Sequence, residues 1–296
     1  MADRLAADDD TLAIESALSA LCTRYLGDLP AVLADAITYS ILGEGKRLRP
    51  RLLLAAYRAA GGTGNAVELA ATVEVVHAYS LVHDDLPCMD NDELRRGRPT
   101  THRRFGVRVA TVAGVVMVPL AARAAFDASR SLGLPRQLCG DIVRVLMRAS
   151  GAGGMVGGQL LDLASEGCEL SVDELDRIHR AKTGELIAAS IAIGGLAAGV
   201  ALESRTALER FGERVGLAFQ IADDVLDATA TSDQLGKSAG RDAARSKRTY
   251  PALLGVDGAL SIARSLVDDG CAELRDVGLA TPELERLARY AVARQS

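Results

Sequence analysis

The feature that most constrains this chain is a run of acidic residues that emerges directly from an apolar, helix-forming stretch. Five acids lie between Asp84 and Glu93, and three arginines occur in the next five residues. Carboxylates this close repel one another, so a fold that holds them together needs a cation. Carboxylate oxygens suit Mg²⁺, and guanidinium groups suit phosphate oxygens. The run predicts a magnesium site beside a phosphate site, although by itself it also fits a solvated charged loop.

A second acidic cluster lies far downstream in a similarly apolar setting. Asp223 and Asp224 directly follow residues 219–222, of which Phe219, Ile221 and Ala222 are apolar, and Asp227 comes three residues later. On a helix, residues four apart share a face, whereas adjacent residues lie about 100° apart around the axis. We therefore expect Asp223 and Asp227 to form the natural ligand pair, with Asp224 turned away from them.

The first cluster requires a different geometry. Asp84 and Asp90 are six residues apart, and a continuous helix would place them on different faces. Pro87 disfavours helix in the residue before it, so we expect the chain to curl there and bring Asp90 back. If the two clusters face each other across a cavity, several Mg²⁺ ions could bridge them through a diphosphate, because magnesium takes few protein carboxylates.

The remainder of the chain is predicted to be helical almost throughout. Alternating β-branched runs are missing, and Ala and Leu dominate. Hydrophobic residues make up 49% of the 296 residues but aromatic residues only 3%, which implies an aliphatic core. We find no linker, internal repeat or low-complexity segment. The expectation is therefore one all-α domain over residues 1–296.

Three local patterns give testable expectations. Residues 101–131 read as one long helix, with a possible kink at Pro119. Ser171 is followed three residues later by Glu174, which predicts a capping box. The glycine-rich residues 151–158 lack the ending of a phosphate-binding loop, so we expect them to serve close helix packing.

Charge and cysteine content restrict the possible partners and compartment. The net charge of -5 argues against a general binder of nucleic acid or anionic membrane. An odd number of cysteines, five, without a CxxC pair indicates a reducing compartment, and the acidic N-terminus does not resemble a signal peptide. Apolar residues 109–122 and 186–202 fall short of the roughly 20 that a spanning helix needs. We expect a cytoplasmic protein without a membrane span.

Together these patterns resemble the trans-isoprenyl diphosphate synthases, the polyprenyl synthetase family that includes farnesyl and geranylgeranyl diphosphate synthases. The resemblance covers nearly the whole chain and is specific, because two aspartate-rich motifs occur in order with basic partners. The matching segments are residues 45–50, 84–90, 95–97, 158–162, 182–184, 219–227, 236–237 and 247–251.

The resemblance implies a fold, a reaction and an assembly. The fold would be a single bundle of helices around a deep central cavity, the isoprenoid synthase fold. The reaction would be the Mg²⁺-dependent, head-to-tail condensation of dimethylallyl or geranyl diphosphate with isopentenyl diphosphate. A homodimer and three Mg²⁺ ions per active site with bound diphosphate are also implied.

The resemblance assigns roles to individual acidic side chains. Direct Mg²⁺ ligands would be Asp84 and Asp90 from the first motif and Asp223 from the second. Support through water and hydrogen bonds would come from Asp85, Asp224 and Asp227.

The other polar side chains divide between two substrates and the reacting centre. The allylic diphosphate would be bound by Arg95, Lys182 and Lys237, with Lys247 close by. The isopentenyl diphosphate would be bound by Lys46, Arg49, His77 and Arg96. The developing allylic cation would be stabilised by the oxygen dipoles of Thr183 and Gln220.

Product length is predicted from residues just before the first motif. Tyr79 and Ser80 precede Asp84 by five and four residues, about one helical turn. An aromatic residue here resembles the bacterial enzymes that make the fifteen-carbon product, because its ring can form a floor to the cavity. We therefore favour farnesyl over geranylgeranyl diphosphate. The alternative is that Tyr79 is only a core or interface aromatic.

Two residues depart from the pattern of the family, and two other functions compete with this assignment. Glu44 stands where the family usually has glycine, and Val115 replaces an acid that we expect to be buried. A terpene cyclase shares the first motif, but Asp223 and Asp224, with the basic residues 46–49, argue against it. A non-catalytic subunit of a heteromeric synthase usually loses one aspartate motif, and this chain has both.

Overall fold

The structure is a computed structural model, and it describes residues 9–229 and 248–293. Within these residues the chain forms helices joined by turns and loops, with one short antiparallel strand pair, which confirms the all-α prediction. The chain forms two compact units. Unit 1 comprises Met1–Leu54 and Thr63–Arg144, and unit 2 comprises Ala55–Gly62 and Val145–Ser296. The assignment of one domain to residues 1–296 stays a prediction.

The elements in the first part of the chain lead to the first acidic motif and then away from it. In chain order they are α1 Asp9–Leu26, α2 Ala31–Ile41, α3 Leu48–Ala59, α4 Val67–Asp84, β1 Leu94–Arg95, β2 Arg98–Pro99, α5 Thr101–Phe105, α6 Val107–Ser131 and α7 Arg136–Ser150.

The elements that follow carry the second motif. They are α8 Met155–Ala164, α9 Val172–His179, a π-helical turn Arg180–Gly184, α10 Glu185–Ala198, α11 Leu202–Thr229, α12 Tyr250–Asp276 and α13 Pro282–Val292.

Helix α4 forms the centre of unit 1. Eleven of its residues are buried, and they are distributed around the whole helix, as expected for a helix that is apolar on all sides. It packs against α1, α2 and α6. The helix ends at Asp84, so the acidic motif is held at the end of a rigid, buried element.

The long helix expected over residues 101–131 is instead two helices. The break occurs at Gly106, whose φ of +85° ends α5 and precedes α6. Only glycine adopts this left-handed backbone readily, which explains the position of the break. Pro119 lies inside α6, and the helix continues through it.

In unit 2, α11 packs against α10 and α12. Helix α9 begins with the predicted capping box: Ser171 N donates to Glu174 Oε2 at 2.9 Å, and Glu174 N donates to Ser171 Oγ at 3.3 Å. The glycine-rich segment serves packing, as predicted. A Cβ on Gly158 would lie 2.2 Å from the backbone nitrogen of Lys182, so only glycine allows α8 to approach the π-helical turn.

Two helical segments meet the length and composition criterion for a membrane span, because each is longer than the apolar run, 109–122 or 186–202, with which it overlaps. They are Val107–Ser131 and Val172–Ala198. Their apolar windows are 44% and 61% buried within the protein, and core helices of soluble proteins meet the same criterion. The absence of a membrane span therefore stays a prediction.

Candidate active site

The first acidic motif curls back on itself, as the spacing of its aspartates predicted. Asp90 N donates to Asp84 O at 2.8 Å, so the backbone at the end of the motif returns to the end of α4. The next residue, Asn91, donates from its backbone N to Leu86 O at 3.0 Å and closes the loop. Asp84 and Asp90 are both partly exposed. Two carboxylates carried on one closed loop suit Mg²⁺, which uses one or two protein carboxylates together with phosphate and water.

Asp85 is buried, and it pairs with Arg95, whose side chain is partly exposed. The Arg95 guanidinium donates through Nε at 2.8 Å and through Nη2 at 2.5 Å to Asp85 Oδ1. It also reaches Asp92 Oδ2 at 3.2 Å. Burial raises the pKa of Asp85, and Arg95 opposes that rise. The aspartate loop and the following arginine are therefore fixed to each other before any substrate binds.

Arg95 belongs to a tight hairpin that also positions Arg96. Strands β1 and β2 are joined by Arg96 and Gly97, with φ of +52° and +74°. Positive φ at both central residues is the signature of a type I′ turn. Arg96 Nη1 donates to the backbone oxygen of Glu44, and a Cβ on Gly45 would lie 2.7 Å from that nitrogen. The exposed Glu44 thus contributes its backbone, which is available whatever side chain stands there.

The basic loop before α3 is held by a buried ion pair that sequence reasoning did not assign. Arg47, at φ +49°, donates through Nη1 to Glu74 Oε1 at 2.9 Å and through Nη2 to Gly43 O at 2.6 Å. Arg47 and Glu74 are only 5% and 4% exposed. Lys46 precedes this anchor, and Arg49 follows it. Glu74 is the one charged residue in the stretch 69–76 of α4, and this was the signal that could have identified it.

His77 lies one turn after Glu74 on α4 and is partly buried. Burial lowers its pKa well below the ordinary value, and nearby arginine side chains, Arg49 and Arg96 foremost, lower it further. His77 is therefore neutral at pH 7. The residues of unit 1 that are predicted to bind isopentenyl diphosphate therefore combine positively charged guanidinium groups with an uncharged imidazole.

Tyr79 is buried at 8% exposure and packs edge-on against His83, with ring centroids 4.9 Å apart. Ser80 Oγ donates to His77 O at 2.8 Å. His83 in turn lies against Gly114 of α6, where a Cβ would approach its Nε2 to 2.1 Å. The contacts fix the Tyr79 ring in unit 1, and its role as a cavity floor stays a prediction.

Val115 is 59% exposed on α6 in the single chain, so the burial of an acid at this position stays a prediction. The neighbouring Gly114 is the buried residue, because it faces His83.

In unit 2, the predicted Lys182 and Thr183 both lie on the π-helical turn between α9 and α10. Such turns are rare and occur frequently at functional sites, because they re-aim side chains within a helix. Lys182 Nζ donates to Asp162 Oδ2 at 2.6 Å, and Thr183 Oγ1 donates to Gln220 Oε1 at 2.7 Å. The turn thereby brings the lysine to one acid and the threonine to the predicted glutamine.

The second acidic motif divides as the helix geometry predicted. Asp223 and Asp227 are partly exposed, whereas Asp224 is 3% exposed and points into unit 2. His179 Nε2 lies 2.9 Å from Asp224 Oδ2. Asp224 also accepts from Gln220 Nε2 at 3.2 Å and from the Tyr250 backbone nitrogen at 3.1 Å. His179 and Tyr250 were not predicted as site residues, and an isolated histidine gives no sequence signal for such a contact.

Lys237 and Lys247 lie outside the described residues. Within residues 9–229 and 248–293, no cluster of three or more His, Cys, Asp or Glu side chains is arranged to hold a metal ion by itself. Magnesium sites that use one or two protein carboxylates complete their coordination with substrate oxygens and water.

Comparison with known proteins gives a consistent result. The family model described as Polyprenyl synthetase matches residues 30–269. The chain is 42% identical over 280 residues to the farnesyl diphosphate synthase of Escherichia coli strain K12, covering 92% of this chain and 93% of that protein. It is 40% identical to the chloroplastic geranylgeranyl pyrophosphate synthase of Catharanthus roseus, covering 90% of this chain and 75% of that protein.

The structure is also similar to solved structures. One is the geranyltransferase of Helicobacter pylori, which was crystallised in complex with magnesium and isoprenyl diphosphate. It has a TM-score of 0.77 and 29% identity, and the match covers 96% of this chain and 97% of that chain.

Proposed function

Because this chain belongs to the polyprenyl synthetase family, we propose that it condenses an allylic diphosphate with isopentenyl diphosphate head to tail and releases farnesyl diphosphate. The allylic substrates would be dimethylallyl and geranyl diphosphate. The observation that supports the proposal is the conformation of the two aspartate motifs. Both are intact, the first is closed by the Asp90–Asp84 backbone bond, and the second exposes Asp223 while it buries Asp224.

The acidic side chains would hold Mg²⁺, with Asp84, Asp90 and Asp223 as direct ligands and Asp85, Asp224 and Asp227 as support. When bound, Mg²⁺ supplies positive charge to the leaving diphosphate. The number of ions, three per site, is part of the proposal. The Arg95 guanidinium holds Asp85 and Asp92 and so orients the loop on which Asp84 and Asp90 lie.

The basic side chains would distinguish the two substrates. Lys46, Arg49, His77 and Arg96 would bind isopentenyl diphosphate. Two contacts support this assignment: the Arg47–Glu74 pair, which anchors the loop between Lys46 and Arg49, and the bond from Arg96 to the Glu44 backbone oxygen. The allylic diphosphate would be bound by Arg95 and Lys182, together with Lys237 and Lys247.

Reaction would begin with cleavage of the allylic C–O bond, which separates a carbocation from diphosphate. Cationic side chains stabilise the leaving group where its charge develops. The oxygen dipoles of Thr183 and Gln220 would stabilise the carbocation, which then alkylates the double bond of isopentenyl diphosphate. A proton leaves last, and the released diphosphate would accept it. An apolar, water-excluding environment would keep the cation from hydrolysis.

We also propose that two copies of this chain form a homodimer. Helix α6 has apolar side chains that are exposed in the single chain, among them Val107, Val112 and Val115 at 46%, 49% and 59%. Val112 and Val115 are three residues apart and therefore lie on one helix face. A second copy that packed on this face would remove it from water. Light scattering of the purified protein tests this assembly, and a monomer would contradict it.

A cytoplasmic location stays part of the proposal. All five cysteines are free, which fits a reducing compartment.

The decisive experiment is an assay of the purified chain with isopentenyl diphosphate, each allylic diphosphate and Mg²⁺, followed by chromatography of the products. We expect a fifteen-carbon product as the main species. A twenty-carbon product would overturn the length assignment and would favour the geranylgeranyl alternative, which the similarity to the Catharanthus roseus protein also allows. No condensation at all would overturn the proposed function.

A further inference from the structure

A chain of hydrogen bonds in unit 2 connects a buried histidine with the threonine at the proposed reacting centre. His179 Nε2 lies 2.9 Å from Asp224 Oδ2, and Gln220 Nε2 donates to Asp224 Oδ1 at 3.2 Å. At the other end of the same amide, Thr183 Oγ1 donates to Gln220 Oε1 at 2.7 Å. The order of the chain is therefore His179, Asp224, Gln220 and Thr183.

The charge of Asp224 sets the direction of every bond in this chain. An ionised carboxylate only accepts hydrogen bonds, so the NH₂ group of Gln220 must face it. The Gln220 carbonyl oxygen then faces Thr183 and can only accept. Thr183 must therefore use its single hydroxyl proton toward Gln220, and the lone pairs of its oxygen point elsewhere. Bonds aligned in this way polarise one another.

Asp224 can set this direction because three elements hold it in place. It is 3% exposed on α11, and it contacts His179 on α9 and the first backbone nitrogen of α12, at Tyr250. The His179 ring stacks on the Tyr250 ring with centroids 5.8 Å apart and planes at 26°. The Tyr250 hydroxyl donates to Asp176, which fixes the second ring. A carboxylate buried with this many donors cannot rotate freely.

We propose that His179 and Asp224 are positioning residues that fix the Gln220 amide, so that Thr183 turns oxygen lone pairs rather than its proton toward the allylic cation. The inference rests on the proposed function and adds to it one residue, His179, which need not touch substrate. It also gives Asp224 a role within unit 2 that differs from support of a metal ligand. If the amide were reversed, Thr183 would be free to point its proton at the cation, which would destabilise the charge.

A double-mutant cycle tests whether His179 acts through Thr183. The variants are His179→Leu, Thr183→Val and the double variant, measured as single-turnover rates with geranyl diphosphate, isopentenyl diphosphate and Mg²⁺. We expect each single variant to slow the chemical step about tenfold or more, equivalent to at least about 1.4 kcal/mol. The double variant should be no slower than Thr183→Val. Without the Thr183 hydroxyl, the orientation of the Gln220 amide that His179 fixes no longer affects the rate.

Two further variants separate positioning from general damage. His179→Gln retains an N–H donor toward Asp224 and should recover most of the rate. Ser190→Ala removes another buried hydroxyl of unit 2, on α10, and should leave the rate unchanged. Melting curves by circular dichroism accompany every variant. If His179→Leu does not fold, Asp224→Asn takes its place in the cycle, since an amide can face Gln220 in either orientation.

Additive losses in the cycle would overturn the inference while leaving the proposed function intact. So would an increase of KM in His179→Leu without any slowing of the single-turnover step. A wild-type protein that forms no condensation product would overturn the proposed function and the inference with it. These two kinds of failure are distinguished by the wild-type assay.

Discussion

Replacing Glu74 should destabilise unit 1 and selectively weaken the use of isopentenyl diphosphate. Arg47 and Glu74 are 5% and 4% exposed, and their shortest N–O distance is 2.9 Å. Removing one partner of a buried ion pair costs about 3–5 kcal/mol, because the other charge stays buried without compensation. At roughly 2 °C per kcal/mol for a chain of more than 150 residues, Glu74→Leu should lower the Tm by about 6–10 °C.

The kinetic effect follows from the position of Arg47 in the chain. Its φ of +49° is a left-handed conformation that costs a residue other than glycine about 1–2 kcal/mol, and the bonds to Glu74 and Gly43 hold it there. Without Glu74 the loop can relax, and Lys46 and Arg49 move with it. We therefore expect KM for isopentenyl diphosphate to rise more than KM for the allylic substrate.

The assay is circular dichroism at 222 nm during heating, together with initial rates at varied concentrations of each substrate. Glu74→Gln, which retains an acceptor for Arg47, should show a smaller loss in both measurements. The matched control is Arg58→Ala, because Arg58 pairs with Glu283 at 3.3 Å with side chains 46% and 34% exposed. A surface pair of this kind contributes at most about 1 kcal/mol. A Glu74→Leu protein that melts with the wild type, or that weakens both substrates equally, would refute the reasoning.

Three other predictions concern the metal, pH and product length. EDTA should abolish turnover, and added Mg²⁺ should restore it. Asp84→Ala and Asp223→Ala should each reduce turnover by several orders of magnitude, and Asp92→Ala should reduce it far less. Equal losses in all three variants would contradict the assignment of ligands. Because the pKa of His77 is lowered on folding, the unfolded chain binds a proton more readily, so stability should fall as the pH drops below about 6.5, by at most about 1.4 kcal/mol per pH unit. Urea titrations at several pH values should show that the free energy of unfolding depends less on pH in His77→Gln than in the wild type. An identical pH dependence in both proteins would exclude His77 as the cause. Tyr79→Ala should shift the product toward twenty carbons or more on chromatography, and an unchanged product would remove Tyr79 from that role.

Local chemistry was sufficient to predict several parts of the site. Pro87 and the six-residue spacing required the chain to curl between Asp84 and Asp90, and the backbone bond between them confirms it. The periodicity of a helix separated Asp224 from Asp223 and Asp227, and their burial follows that division. In each case the deciding physics acts within one or two helical turns.

The features that were missed depend on residues far apart in sequence. Glu74 is 27 residues from Arg47, and His179 is 45 from Asp224, so nothing local identifies either pair. The break at Gly106 was missed because glycine can also continue a helix at a modest cost.

The distribution of backbone strain in unit 1 gives an independent reason to place substrate binding there. Among the described residues, three that are not glycine have positive φ: Arg47, Asn91 and Arg96, at +49°, +53° and +52°. One lies in the basic loop, one ends the aspartate loop, and one forms the hairpin turn. Left-handed conformations persist only where surrounding contacts hold them, and they concentrate at functional sites. Here those contacts are the Glu74 carboxylate and the backbone oxygens of Gly43, Leu86 and Glu44. Apart from Glu74, the acceptors of these bonds are backbone oxygens, so the three loops keep their shape largely through the backbone at Gly43, Leu86 and Glu44.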